Sequence, residues 1–176
     1  MPSPPRRERY DIFSRVLHWG MALLLLWQLL SASAHYLLED TAIEAFFWPT
    51  HKPLGFVLFG LIVVRIVWAV INAARRPPSI SLAATLGHVA LYGLLAAVPG
   101  VALLRQYGSG RAFEPFGWPL MPGFEGDKIS WMVTLGELLH SSLGWTLFAL
   151  ICGHIFMVYW HRRSATQPDV LPRMWG

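Results

Sequence analysis

The chain has 176 residues, of which 55% are hydrophobic and 14% charged. Its mean hydropathy of +0.45 and a charged share well below the ~25% usual for soluble domains exclude an ordinary soluble fold. The net charge of +4 comes from short basic clusters between apolar runs; that is a topology signal, not a nucleic-acid-binding face.

Four apolar runs lie near 16–38, 54–74, 82–104 and 129–160. Each can cross about 30 Å of hydrocarbon, which takes roughly 20 helical residues. Lipid cannot satisfy the edges of an open sheet, so the runs predict an all-α integral membrane bundle of four transmembrane helices, one domain over 1–176. Ala32-Ser33-Ala34 resembles a signal-peptide cleavage site, but the run before it is long and carries His18, Trp19 and Trp27, so it reads as a span. Arg75-Arg76-Pro77-Pro78 closes the second run, and Pro99-Gly100 predicts a kink in the third. A glycine-, proline- and aromatic-rich stretch over 106–130 separates the third run from the fourth. Arg6, Arg7, Arg9, Arg15, Arg75, Arg76, Arg162, Arg163 and Arg173 fall on one side, with Lys52, Arg105, Arg111 and Lys128 on the other. The richer side is expected to be cytoplasmic, with both termini.

Ionisable groups inside a membrane are costly and usually functional. His140 and His154 are fourteen residues apart in the fourth run, which is about 21 Å of helix rise and a return to within about 40° of one face. That spacing suits two haems stacked along the bilayer normal. His18 lies level with His154, and His51 level with His140, giving two depth-matched pairs. Bis-imidazole ligation saturates an iron and favours electron transfer over oxygen binding. The single cysteine, Cys152, allows no intramolecular disulfide, and there is no C-x-x-C-H motif, so haem here is expected to be held without a covalent bond. A closed zinc site is disfavoured because neither level gains a third or fourth ligand.

Other polar residues carry open readings. Arg65, fourteen residues past His51, reaches the inner level and would pair with a haem propionate or snorkel to the headgroups. His88 is either a satisfied core histidine or a contact for a propionate or quinone. His161, on the face of His154 one level lower and beside Arg162 and Arg163, is either an interfacial histidine or a quinone contact. His35 lies about 100° around the helix from His18 and is expected to be solvated.

These residues resemble the bacterial cytochrome b561 family, whose best-defined member type is superoxide:ubiquinone oxidoreductase. The resemblance covers essentially the whole chain. It is carried by Arg15-Val16-Leu17-His18-Trp19, His51 with Gly55, Val64-Arg65, Leu86-Gly87-His88, and Leu139-His140 through Gly144 to His154. It implies two non-covalent haem b groups ligated by His18, His51, His140 and His154, a multi-pass bacterial inner-membrane location, and ubiquinone reached near the cytoplasmic side at His161. The family's lysine in the loop after the second span is absent, and Arg75 or Arg76 stands in its place.

Two donors fit this frame. Superoxide would reduce the outer haem and quinone would take the electron inside, yet the outer face has four basic residues against Glu39, Asp40, Glu44, Glu114, Glu125, Asp127 and Glu137, which does not steer an anion globally. A periplasmic redox protein is the alternative, docking on an acidic face with Phe113, Phe116, Trp118 and Phe124. Those aromatics also suit a loop packed over the outer haem.

Overall fold

A computed structural model describes residues 8–175; Arg6 and Arg7 of the predicted basic side lie outside them. The chain forms α1 (Ile12–Leu37), a short α2 (Ala42–Phe47), α3 (His51–Ile71), α4 (Leu82–Gly108) and α5 (Ser130–Arg163). Four helical segments are long and apolar enough to span a membrane: Ile12–Leu37, Ala42–Ile71, Leu82–Gly108 and Ser130–Arg163.

The helices extend past the apolar runs at several ends, and the capping chemistry explains two of the starts. α1 begins at Ile12 because Asp11 accepts the Ser14 N–H at 2.9 Å and the Ser14 hydroxyl at 2.8 Å, satisfying donors that a helix start leaves unpaired. The second apolar run is expected near 54–74, but the helical segment begins earlier. Thr41 caps α2 through the Glu44 N–H, and Pro49 sits in the 3₁₀ turn Trp48–Thr50, which runs on into α3. Proline costs little at a first turn, where its missing N–H has no intrahelical partner. Ser81 caps α4, which continues through Pro99 to Gly108 rather than breaking there.

α4 and α5 share the most extensive contact of any two helices described, and two glycines allow it. A Cβ on Gly108 would stand 2.5 Å from the Met132 Cβ, and one on Gly136 would collide with the Arg105 side chain and the Val101 carbonyl. The buried apolar cluster of Met21, Leu58 and Ile62, with Phe59, Ile66, Tyr92 and Leu95 around it, ties α1, α3 and α4 at mid-depth. Large apolar side chains such as Leu23, Val67, Val89 and Ile155 point outward, as lipid-facing surfaces do.

The first and last described segments meet at one end of the bundle. The Tyr10 N–H donates to the Arg173 carbonyl at 3.1 Å, Trp19 Nε1 donates to the Met174 carbonyl, and Arg173 donates to the Pro78 carbonyl. At the opposite end the loop between α4 and α5 folds back on itself through paired Phe113 and Met121 backbones. Phe113 is buried edge-on against Phe56 of α3, whereas Phe116 and Trp118 are exposed. The loop therefore covers part of that end and presents aromatic side chains outward as well.

Candidate functional site

The helices bring the predicted histidines together in two tiers. In the tier near the chain termini, the rings of His18 (α1) and His154 (α5) have centres 6.4 Å apart, with planes at 71°. In the other tier the rings of His51 (α3) and His140 (α5) are 6.2 Å apart, at 89°. The fit to a bridging ion can be tested directly. A metal–imidazole bond is about 2 Å and the ring centre lies about 1 Å behind the nitrogen, so imidazoles on opposite sides of one ion have centres about 6 Å apart. Both pairs meet that spacing.

The second nitrogens, invisible in the sequence, have identifiable partners. His51 Nδ1 lies 3.3 Å from the hydroxyl of Ser31, which is fully buried and itself donates to the Phe47 carbonyl. His140 Nδ1 donates to the Val98 carbonyl at 3.0 Å. A proton held on Nδ1 leaves Nε2 with its lone pair free for a metal. The start of α3 is further fixed by Trp27, which donates to Thr50 Oγ1, and by Gln28, which donates to the His51 carbonyl at 2.9 Å. Gly55 permits this approach, because a Cβ there would stand 3.0 Å from Gln28 Nε2. Gly144, one turn past His140, has nothing within 4 Å of where a Cβ would be. Ser31 could have been noticed as a polar residue in an apolar run; nothing in the sequence singled out the Val98 carbonyl.

The tier near the termini is built differently. Arg65 Nη2 is 3.1 Å from His18 Nδ1, and its Nε donates to the Tyr92 hydroxyl at 3.0 Å. The His88 ring is 5.6 Å from His154, closer than His18 is. The sequence pairs His154 with His18 and offers His88 only as a core histidine or a propionate or quinone contact; its approach to His154 depends on how the helices pack, which spacing does not give. Among the described residues no group of three or more His, Cys, Asp or Glu could hold a metal by itself.

The remaining predicted positions divide. His35, expected to be solvated, contacts Glu44 Oε1 through Nδ1 at 2.6 Å and stacks on Trp48 at 3.7 Å. His161 is buried, and its Nδ1 has no hydrogen-bond partner. Arg76 lies over the Tyr10 ring at 5.4 Å. Arg75 and Arg76 line a pocket of only about 10 Å³ with Arg9, Tyr10, Asp11 and Asn72, room for about one water. A larger cavity of about 210 Å³ opens between Arg9, Arg162, Asp169, Leu171, Pro172 and Trp175.

Residues 9–176 match the family model described as prokaryotic cytochrome b561. The chain belongs to that family. It is also 32% identical over 181 residues to "Cytochrome b561 homolog 2" of Escherichia coli (strain K12), covering 96% of this chain and 92% of that protein. As a prokaryotic cytochrome b561 it is a multi-pass membrane cytochrome that uses haem b to transfer electrons.

Proposed function

We propose that this cytochrome holds two b haems, one between His18 and His154 and one between His51 and His140, and that it oxidises superoxide on the outer side while reducing ubiquinone near the cytoplasmic side of a bacterial inner membrane. The observation that carries the reading is the pair of imidazole tiers at 6.2 and 6.4 Å on opposite ends of α5. His18 with His154 and His51 with His140 would hold the haems, and a haem held by imidazoles on both sides would supply one-electron transfer rather than oxygen binding. Each superoxide ion gives up one electron and leaves as dioxygen; the quinone takes two electrons and two protons.

The residues divide this work. Ser31 and the Val98 carbonyl orient the outer imidazoles, and Arg65 with Tyr92 borders the inner ones. His161 offers a buried ring with an unpartnered Nδ1, suited to a quinone carbonyl or hydroxyl. Its neighbour Arg162 lines the 210 Å³ cavity, a size that suits a quinone head group better than the small pocket beside Arg75 and Arg76. Those two arginines contribute positive charge at the same membrane surface, where both termini are cytoplasmic in this reading. The exposed Phe116 and Trp118 favour a second reading of the donor, a periplasmic redox protein docking on the outer loop.

Stopped-flow mixing of the oxidised protein with superoxide decides between the donors, with a pyridine haemochrome assay for haem content. Two haems per chain, reduced rapidly and reoxidised by added ubiquinone, support the proposal. Two haems that ignore superoxide leave the partner-fed carrier, and a protein without haem overturns both.

A further inference from the structure

Arg65 is a charged group held inside the bundle. Its three nitrogens point at bundle residues: Nε donates to the Tyr92 hydroxyl at 3.0 Å, Nη2 meets His18 Nδ1 at 3.1 Å, and Nη1 faces Met21 Sδ at 3.9 Å. The guanidinium also lies 5.5 Å from the Tyr92 ring centre. Among the described residues no carboxylate pairs with it. This geometry answers the alternative of snorkelling, because the side chain is anchored inward. A guanidinium cannot shed its proton in a protein, so the charge is permanent.

In the outer tier no guanidinium reaches an imidazole: Lys52, the residue after His51, acts on that ring only through space. There the imidazole Nδ1 atoms meet a hydroxyl and a peptide carbonyl, Ser31 and Val98, both neutral acceptors. The tiers thus differ in how closely a cation stands to the imidazoles: the Arg65 guanidinium is in hydrogen-bond contact with one of them, and among the described residues no carboxylate pairs with it. In a low-dielectric interior such a charge acts far more strongly than in water.

We infer that Arg65 sets the inner haem site apart electrostatically, favouring the reduced state of the group held by His18 and His154 over that held by His51 and His140. The inference rests on the two-haem reading above. Reduction lowers the charge of an iron centre by one, so a fixed cation nearby raises its potential. The hydrogen-bond chemistry also sets a condition. A guanidinium only donates, and an imidazole that bound iron through Nε2 would carry its proton on Nδ1, so with the group bound Nη2 would need an acceptor other than His18 Nδ1. The bond from Nε to Tyr92 needs no change and keeps the charge in place.

Spectroelectrochemistry of the purified holoprotein tests this, with haem content measured on every variant. Arg65→Gln is expected to lower one of two midpoint potentials and leave the other unmoved, while Arg65→Lys stays nearer the wild type. Ser31→Ala, which removes an acceptor only from the outer tier, is expected to move the wave that R65Q leaves alone. Two haems with neither wave moved in R65Q, or with R65Q and S31A moving the same wave, overturn the inference. Fewer than two haems in the wild type overturn the two-haem reading itself, and this inference with it. Should R65Q fail to take up haem, Tyr92→Phe removes the anchor and must shift the same wave as expected for Arg65; no shift overturns the role.

Discussion

Ser31 and His51, on different helices, meet through a fully buried hydroxyl 3.3 Å from Nδ1. The hydroxyl donates its own hydrogen bond to the Phe47 carbonyl at 3.2 Å, which leaves its lone pairs to accept from the ring. The arrangement favours the tautomer that leaves Nε2 free. Partners of this kind are worth about 10–100-fold in metal affinity. Ser31→Ala is therefore expected to weaken haem retention in the outer tier by roughly that factor, read as haem lost on titration with apomyoglobin, while Ser31→Thr retains more.

His154 has two imidazole neighbours, His18 at 6.4 Å and His88 at 5.6 Å. If His18 is the ligand, His18→Ala halves the haem content and His88→Ala leaves two haems per chain. The reverse pattern in a pyridine haemochrome assay would transfer the ligand role to His88. His140→Ala is expected to remove the other haem and leave the inner one spectrally intact.

Asp11 joins the start of α1 to α3, since it caps Ser14 and accepts the Trp68 indole N–H at 3.2 Å. Burial works against its charge, but the hydrogen bonds from Ser14 and Trp68 outweigh it and hold the carboxyl below its ordinary value. A depressed carboxylate stabilises the fold above its unfolded pKa, and that contribution is lost as pH falls through the folded one. Asp11→Ala should cost about 1 kcal/mol at neutral pH. Thermal unfolding in detergent should show the wild type and the variant converging as the pH is lowered into and below the carboxylate range.

Gly136 sits where α5 meets Arg105 and the Val101 carbonyl of α4, with no space for a Cβ. Gly136→Ala forces the helices apart and is expected to destabilise the protein by about 1–3 kcal/mol, the usual cost of overpacking. Gly60→Ala, at a position with nothing within 4 Å, serves as the control and should leave thermal stability unchanged or slightly higher.

The four spans, their order and the four principal histidines were legible in the chain because lipid imposes a simple demand. About 20 apolar residues must be helical, and an ionisable group among them stands out. The repeat from His140 to His154 encodes a depth difference along one rigid helix, which needs no tertiary information. Helix limits were less legible: hydropathy ignores caps, so Asp11 and Thr41 shifted two starts. What touches a histidine across helices was not legible at all. Ser31 with His51, Arg65 with His18 and His88 with His154 depend on how each helix is rotated about its axis, and rotation follows from packing at sites such as Gly108 and Gly136. The sequence by itself determined a membrane bundle with imidazoles at two depths. Tertiary structure alone decided which neighbours surround each imidazole, because a hydrogen-bond partner is fixed to a few tenths of an ångström, far finer than any spacing rule along one chain resolves.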